Sequence, residues 1–182
     1  MKKVITIALA MLLSACASSP YQYYVEPTPI KKQQTTYNVK KVDVNLTLGH
    51  GAIPGDNTFS DEAELEKQFK QYLEASLSEK GLLARAGQEG LDVSVTVDYK
   101  RKFNLGGKAL NKPEVSHQVV IHNNKEDLAS FSSKNYTTKY AYLEDLAVNM
   151  EISAFSWDQE DEPRDIELIS QLIVEDLVNV GI

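Results

Sequence analysis

Few side chains in this sequence stand where chemistry could be done, and the lone thiol is the first to consider. Cys16 is the single cysteine among 182 residues. It has no partner for an internal disulfide, so a small exported domain would carry it for another use. The histidines are His50, His117 and His122. Zinc needs three or four converging ligands, and an odd spacing puts His117 and His122 on opposite faces of one strand, so no metal site is expected. His117 falls among Val115, Val119 and Ile121 and reads as a core histidine, with His122 at the strand end. Serines are plentiful, but none sits in a G-x-S-x-G turn or a similar activating frame. The densest acidic group runs from Asp158 to Asp165 and reads as a solvated, helix-starting segment rather than an acid–base pair. Gly106-Gly107 and Gly49-His50-Gly51 have the composition of anion-cradling turns, although such glycines usually serve turn geometry. Lys100-Arg101-Lys102 would meet a phosphate or an acidic partner, or else marks a charged strand end. The expectation is a chain with no catalytic residues and no cofactor.

The thiol gains its meaning from what precedes it. Met1-Lys2-Lys3 is a basic start, and residues 4–13 form an apolar stretch too short to span a bilayer, the pattern of a signal peptide. Leu13-Ser14-Ala15-Cys16 then resembles the bacterial lipobox: a branched apolar residue, two small residues and a cysteine. The resemblance implies that diacylglycerol is joined to the Cys16 sulfur, that the chain is cut before Cys16, and that the new amino group is acylated. Two or three acyl chains anchor a protein durably without a membrane-spanning helix. The residue after the cysteine is Ala17 and not Asp, which in enterobacterial-type sorting favours the outer membrane with the domain facing the periplasm.

Charge and composition narrow the partners. The formal charge is -7, and without Lys2 and Lys3 the chain counts 17 basic against 26 acidic residues. An acidic domain is repelled by phosphates, so nucleic acid is not an expected partner. A hydrophobic content of 42% supports one packed core.

The elements follow from periodicity. Residues 16–37 hold Pro20, Pro27 and Pro29 with few aliphatics, and read as a lipidated N-terminus and extended tether interrupted by Tyr21, Tyr23 and Tyr24, whose rings could lie at the headgroup level or dock on the domain or on a partner. Residues 38–182 read as one domain. Val42, Val44, Leu46 and Leu48 alternate as a strand. Ser60 or Asp61 caps a helix with Leu65, Phe69, Tyr72, Leu73, Ser76 and Leu77 on one stripe, closed at Gly81. Leu91, Val93, Val95, Val97 and Tyr99 make a long central strand. A turn-rich connection over 104–113 leads to a strand from Val115 to Ile121, and a fourth is expected near 128–137. Tyr142, Leu143, Leu146, Ala147, Met150 and Ala154 have helical spacing, and Pro163 opens a last helix carrying Ile166, Ile169, Ile173, Leu177 and Val180.

The order β-α-β-β-β-α-α predicts an α+β fold, a mainly antiparallel sheet of about four strands with helices on one face. This layout resembles several families of Gram-negative outer-membrane lipoproteins, mostly of unknown function, and in outline the lipopolysaccharide-assembly lipoprotein that plugs the outer-membrane translocon. Only Cys16 is carried over from that resemblance. The functional expectation is a non-enzymatic envelope lipoprotein, anchored through its lipid, that binds an envelope protein or assists an assembly. The alternative is a periplasmic domain that binds a lipid or glycan, for instance near Ala52 and Ile53.

Overall fold

The computed structural model describes residues 20–104 and 107–182. The signal peptide, Cys16 and Gly106 lie outside the described residues. The elements in chain order are β1 (Gln22–Tyr23), β2 (Tyr37–Leu48), α1 (Glu62–Glu79), β3 (Leu91–Phe103), β4 (Leu110–His122), β5 (Asp127–Tyr136), α2 (Tyr142–Ser153) and α3 (Glu162–Val178).

The expected α+β architecture is present, with a five-stranded mixed sheet in the order β1-β5-β4-β3-β2. Two particulars differ from the four-strand antiparallel description. β2 and β3 are parallel because the α1 crossover between them returns the chain to the same end. A fifth strand, β1, pairs antiparallel with β5 through Gln22↔Ser130 and Tyr23↔Ala129.

That strand comes from the stretch read as a tether, which is docked from Tyr21 onward. Tyr21 stacks edge-on against Phe131 and donates its hydroxyl to the Asp176 carbonyl. The Gly181 amide donates to the Tyr23 hydroxyl. Ile30 is fully buried, clasped by the C-terminus where Ile182 N–H meets its carbonyl and Lys32 N–H meets that of Ile182. Apolar side chains supply the reason: Tyr21, Tyr23, Val25 and Ile30 pack on the core, and the half-exposed Tyr24 hydrogen-bonds Ser130.

α1 starts at Asp61, whose carboxylate accepts from the Glu64 amide while Glu64 accepts from the Asp61 amide, a reciprocal capping box. Leu65, Phe69, Leu73 and Leu77 of α1, with Ile166, Ile169, Ile173 and Leu177 of α3, pack on one face of the sheet against Val93, Val95, Val97, Val119 and Ile121. Glu62 and Glu66 of α1 also accept the outward amides of Leu46 and Val44, covering part of the β2 edge that would otherwise invite strand addition.

β4 begins at Leu110, within the stretch expected as a turn. Pro113 is tolerated because the register slips there, Lys100 facing Glu114 and Lys102 facing Asn111, so the ring falls at a bulge. A second, smaller core of Leu110, Val148 and Trp157, bordered by Phe59, Phe103, Tyr140 and Ile152, closes this end of the sheet beneath α2.

Candidate functional site: an apolar helix face at one end of the sheet

Several polar residues singled out from sequence have partners within the fold. His117 is buried, with Nδ1 2.7 Å from the Tyr136 hydroxyl, while His122 pairs with Ser94. Burial pulls the His117 pKa down to about 4. Among the described residues no group of three or more His, Cys, Asp or Glu could hold a metal ion. Gly49-His50-Gly51 serves close approach: a Cβ at Gly49 would meet the Arg101 carbonyl, and one at Gly107 would strike the Gly51 carbonyl.

The cationic run Lys100-Arg101-Lys102 does not form an anion site. Arg101 turns into the protein and grips Glu162 of α3 by two bonds of 2.6 and 2.9 Å, and donates also to the Ser60 carbonyl at 2.7 Å. Lys100 pairs with Glu114. The acidic stretch that was expected to be solvated places Glu162 and Asp165 inside instead. Burial raises both carboxyl groups, yet each is saturated, Glu162 by Arg101 and Tyr99, Asp165 by the Tyr140 hydroxyl and the Trp157 indole. Two enclosed and partnered carboxylates offer no approach to a substrate.

The feature that helical spacing alone did not place is α2. The helix forms as expected, and its apolar stripe faces solvent. Tyr142 is 88%, Leu143 77%, Leu146 55% and Met150 65% exposed, whereas Val148 is the one buried residue of the helix. At 3.6 residues per turn, positions two before and two after Val148 stand roughly 160° from it. Those positions are Leu146 and Met150. The side facing the protein combines Val148 and the part-buried Ile152, packed with Leu110 and Trp157, with polar contacts. Lys112 holds Asp145 at 2.6 Å, the Asn104 amide donates to the Ile152 carbonyl, and Arg164 reaches Glu144 and Glu151 while stacked 4.7 Å over Trp157. The helix is thus held by a small apolar contact together with ionic and hydrogen-bonded ones, with the stripe of Tyr142, Leu143, Leu146 and Met150 turned outward.

Its C-terminus adds to the display. The Phe155 amide donates to the Ile152 carbonyl and the Ser156 amide to that of Glu151, the two bonds of a Schellman closure. The left-handed position in that motif usually belongs to glycine, but here it is Phe155, with φ 59 and its ring half-exposed. Leu48 at the end of β2 and Ile53 in the following loop are exposed at the same end of the sheet, bordering a cleft of about 400 Å³ lined also by Phe59 and Phe103. Among the described residues no helix is long and apolar enough to cross a membrane.

No known family and no curated protein matches the chain. Among solved structures, the chain is similar to a minor lipoprotein from Acinetobacter baumannii, at 14% identity and a TM-score of 0.30, over 76% of this chain and 92% of that one. It is similar also to an uncharacterized protein at 13% identity and a TM-score of 0.26, over 73% of this chain and 96% of that one.

Proposed function

We propose that this chain is an outer-membrane lipoprotein of the bacterial envelope, anchored through Cys16 and facing the periplasm, which works by docking and not by catalysis. The observation that carries the reading is the outward apolar face of α2. An exposed apolar stripe on a helix whose opposite side is packed on the domain is a surface built to be covered. The lipobox-like Leu13-Ser14-Ala15-Cys16 supports the anchor. The saturation of Arg101, Glu162 and Asp165 supports a structural role for the buried charges.

The protein accordingly assists an envelope assembly, holding a domain at the membrane for a protein partner. A photo-crosslinking residue at Leu143, compared with one at Glu126 in the opposite turn, tests this in intact cells. Reproducible adducts from Leu143 alone, to an envelope protein or to phospholipid, support docking through α2. Equal and unspecific labelling from both positions overturns it.

The second reading, binding of an amphiphile, is favoured by the cleft beside Leu48, Ile53 and Phe59. Native mass spectrometry of protein taken from membranes separates the two. A copurifying lipid or glycan that Ile53→Asp abolishes favours the amphiphile.

A further inference from the structure

The chain's own exit path says what covers α2. β1 runs antiparallel to β5, with Gln22 opposite Ser130 and Tyr23 opposite Ala129. Moving backwards from Tyr21, the chain therefore heads towards the Tyr136 end of β5. That is the end where β2 and β3 finish and β4 begins, and where α2 follows. Only three residues, four Cα–Cα steps, separate Pro20 from Cys16. Fully extended they reach at most roughly 14 Å. The strand from Ser132 to Tyr136 spans about the same length. A lipid on Cys16 is thus held within roughly 14 Å of Pro20, a reach that takes in the Tyr136 end of β5.

We propose that the outward face of α2 lies on the phospholipid surface that carries the Cys16 anchor, with Leu143, Leu146, Met150 and Phe155 at the acyl boundary and Tyr142 at headgroup depth. This rests on the reading that Cys16 is lipidated. An interfacial helix buries its apolar face some 5–10 Å into the headgroup region, and an aromatic ring with a polar tip is favoured there. The strained Phe155 fits the same role, since a glycine would close the helix at lower cost but place nothing in the lipid.

The charge pattern fixes the kind of surface. Interfacial helices that seek anionic lipid carry Lys and Arg on their polar side, but α2 carries Glu144, Asp145 and Glu151, which face Lys112 and Arg164 of the same domain. Association is therefore apolar, indifferent to salt, and gains nothing from anionic lipid.

The test uses the lipidated full chain in protein-free phosphatidylcholine vesicles. Leu146→Cys carries an environment-sensitive fluorophore, Glu126→Cys at the far turn is the control, and the acylated Cys16 does not react. The expected result is that nitroxide-bearing lipid quenches the Leu146 label about twofold or more, in low and high salt, and spares the Glu126 label. Leu143→Ser with Met150→Ser in the same background should return the Leu146 label to water while leaving the anchor intact. A Leu146 label that is unquenched overturns the proposal, and if it becomes shielded only in native envelopes the face belongs to a protein. A free Cys16 thiol in the N-terminal mass overturns both this proposal and the anchored reading beneath it.

Discussion

Val148 and Leu146 lie two residues apart on one helix, the first fully buried against Trp157 and the second 55% exposed. That contrast is the centre of the account, because the longer apolar side chain of the two is the one turned outward. Ordinary packing would have it the other way.

The two sides of α2 should therefore answer differently to substitution. Leu143→Ser with Leu146→Ser removes side chains that stabilise nothing in the domain, and should shift unfolding by less than about 0.5 kcal/mol. Val148→Ala empties space in the small core and should cost about 2 kcal/mol. Urea titrations of both variants check the pair, and a destabilised serine variant would show that the stripe packs after all.

Phe155→Gly should raise stability and lower membrane association together. Relief of the left-handed conformation is worth roughly 1 kcal/mol. Loss of the ring removes apolar contact with whatever covers α2. Thermal unfolding and vesicle flotation of the same preparation check both signs, and a variant that is destabilised would mean that the ring packs within the domain.

The Arg101–Glu162 pair joins the end of β3 to the first turn of α3 inside the protein. Arg101→Met alone leaves a buried carboxylate without its partner and should cost roughly 3–5 kcal/mol. Arg101→Met with Glu162→Leu should recover most of that loss. Equal destabilisation of the single and double variants would contradict the view that the pair is structural and enclosed.

His117 predicts an acid-sensitive fold. Burial lowers its pKa from 6.5 to about 4, so between those values the unfolded chain takes up a proton that the native state refuses. Stability contributed by the neutral ring is complete above about pH 6.5 and is lost as the pH falls towards 4, by an amount of order 2–3 kcal/mol. His117→Gln should flatten this part of the stability–pH curve measured by denaturant titration. An unchanged slope would assign the acid sensitivity to other groups.

Much of the fold was legible in the sequence, and the misreadings share a cause. Periodicity identified α1, α3, the long alternation of β3 and the existence of α2, because it reports which residues share a face. It does not report what that face meets, so the spacing of Tyr142, Leu146 and Met150 did not disclose that their stripe faces solvent. The prolines at 20, 27 and 29 suggested a free tether, while the aromatic and aliphatic residues between them, Ile30 above all, carried the contrary signal. Asn111, Lys112 and Pro113 disguised the start of β4, which survives them through a bulge. The parallel pairing of β2 with β3 was implied by strand, helix, strand in succession. The Arg101–Glu162 grip spans 61 residues, and nothing local announces it.

The shorter tether has a mechanical consequence. Docking from Tyr21 onward leaves little chain between the domain and Cys16, so on the proposed lipidation of Cys16 the α2 end would be kept near the membrane by connectivity as well as by chemistry. Insertion of a flexible Gly-Ser segment of about twenty residues between Ala17 and Pro20 should weaken α2 contact with the membrane by lowering its effective concentration there. Nitroxide quenching of a Leu146 label, read with and without the insertion, measures that loss, and unchanged quenching would show that α2 holds the membrane without help from the tether.

Everything about location rests on one residue, and the intact mass of the N-terminal peptide from separated inner and outer membranes addresses it most directly. The account predicts a chain that begins at Cys16, bears a thioether-linked diacylglycerol and an acylated amino group, and sediments with the outer membrane, with Cys16→Ala lacking the lipid. A chain cut elsewhere, carrying a free thiol and recovered in the soluble fraction, would contradict it.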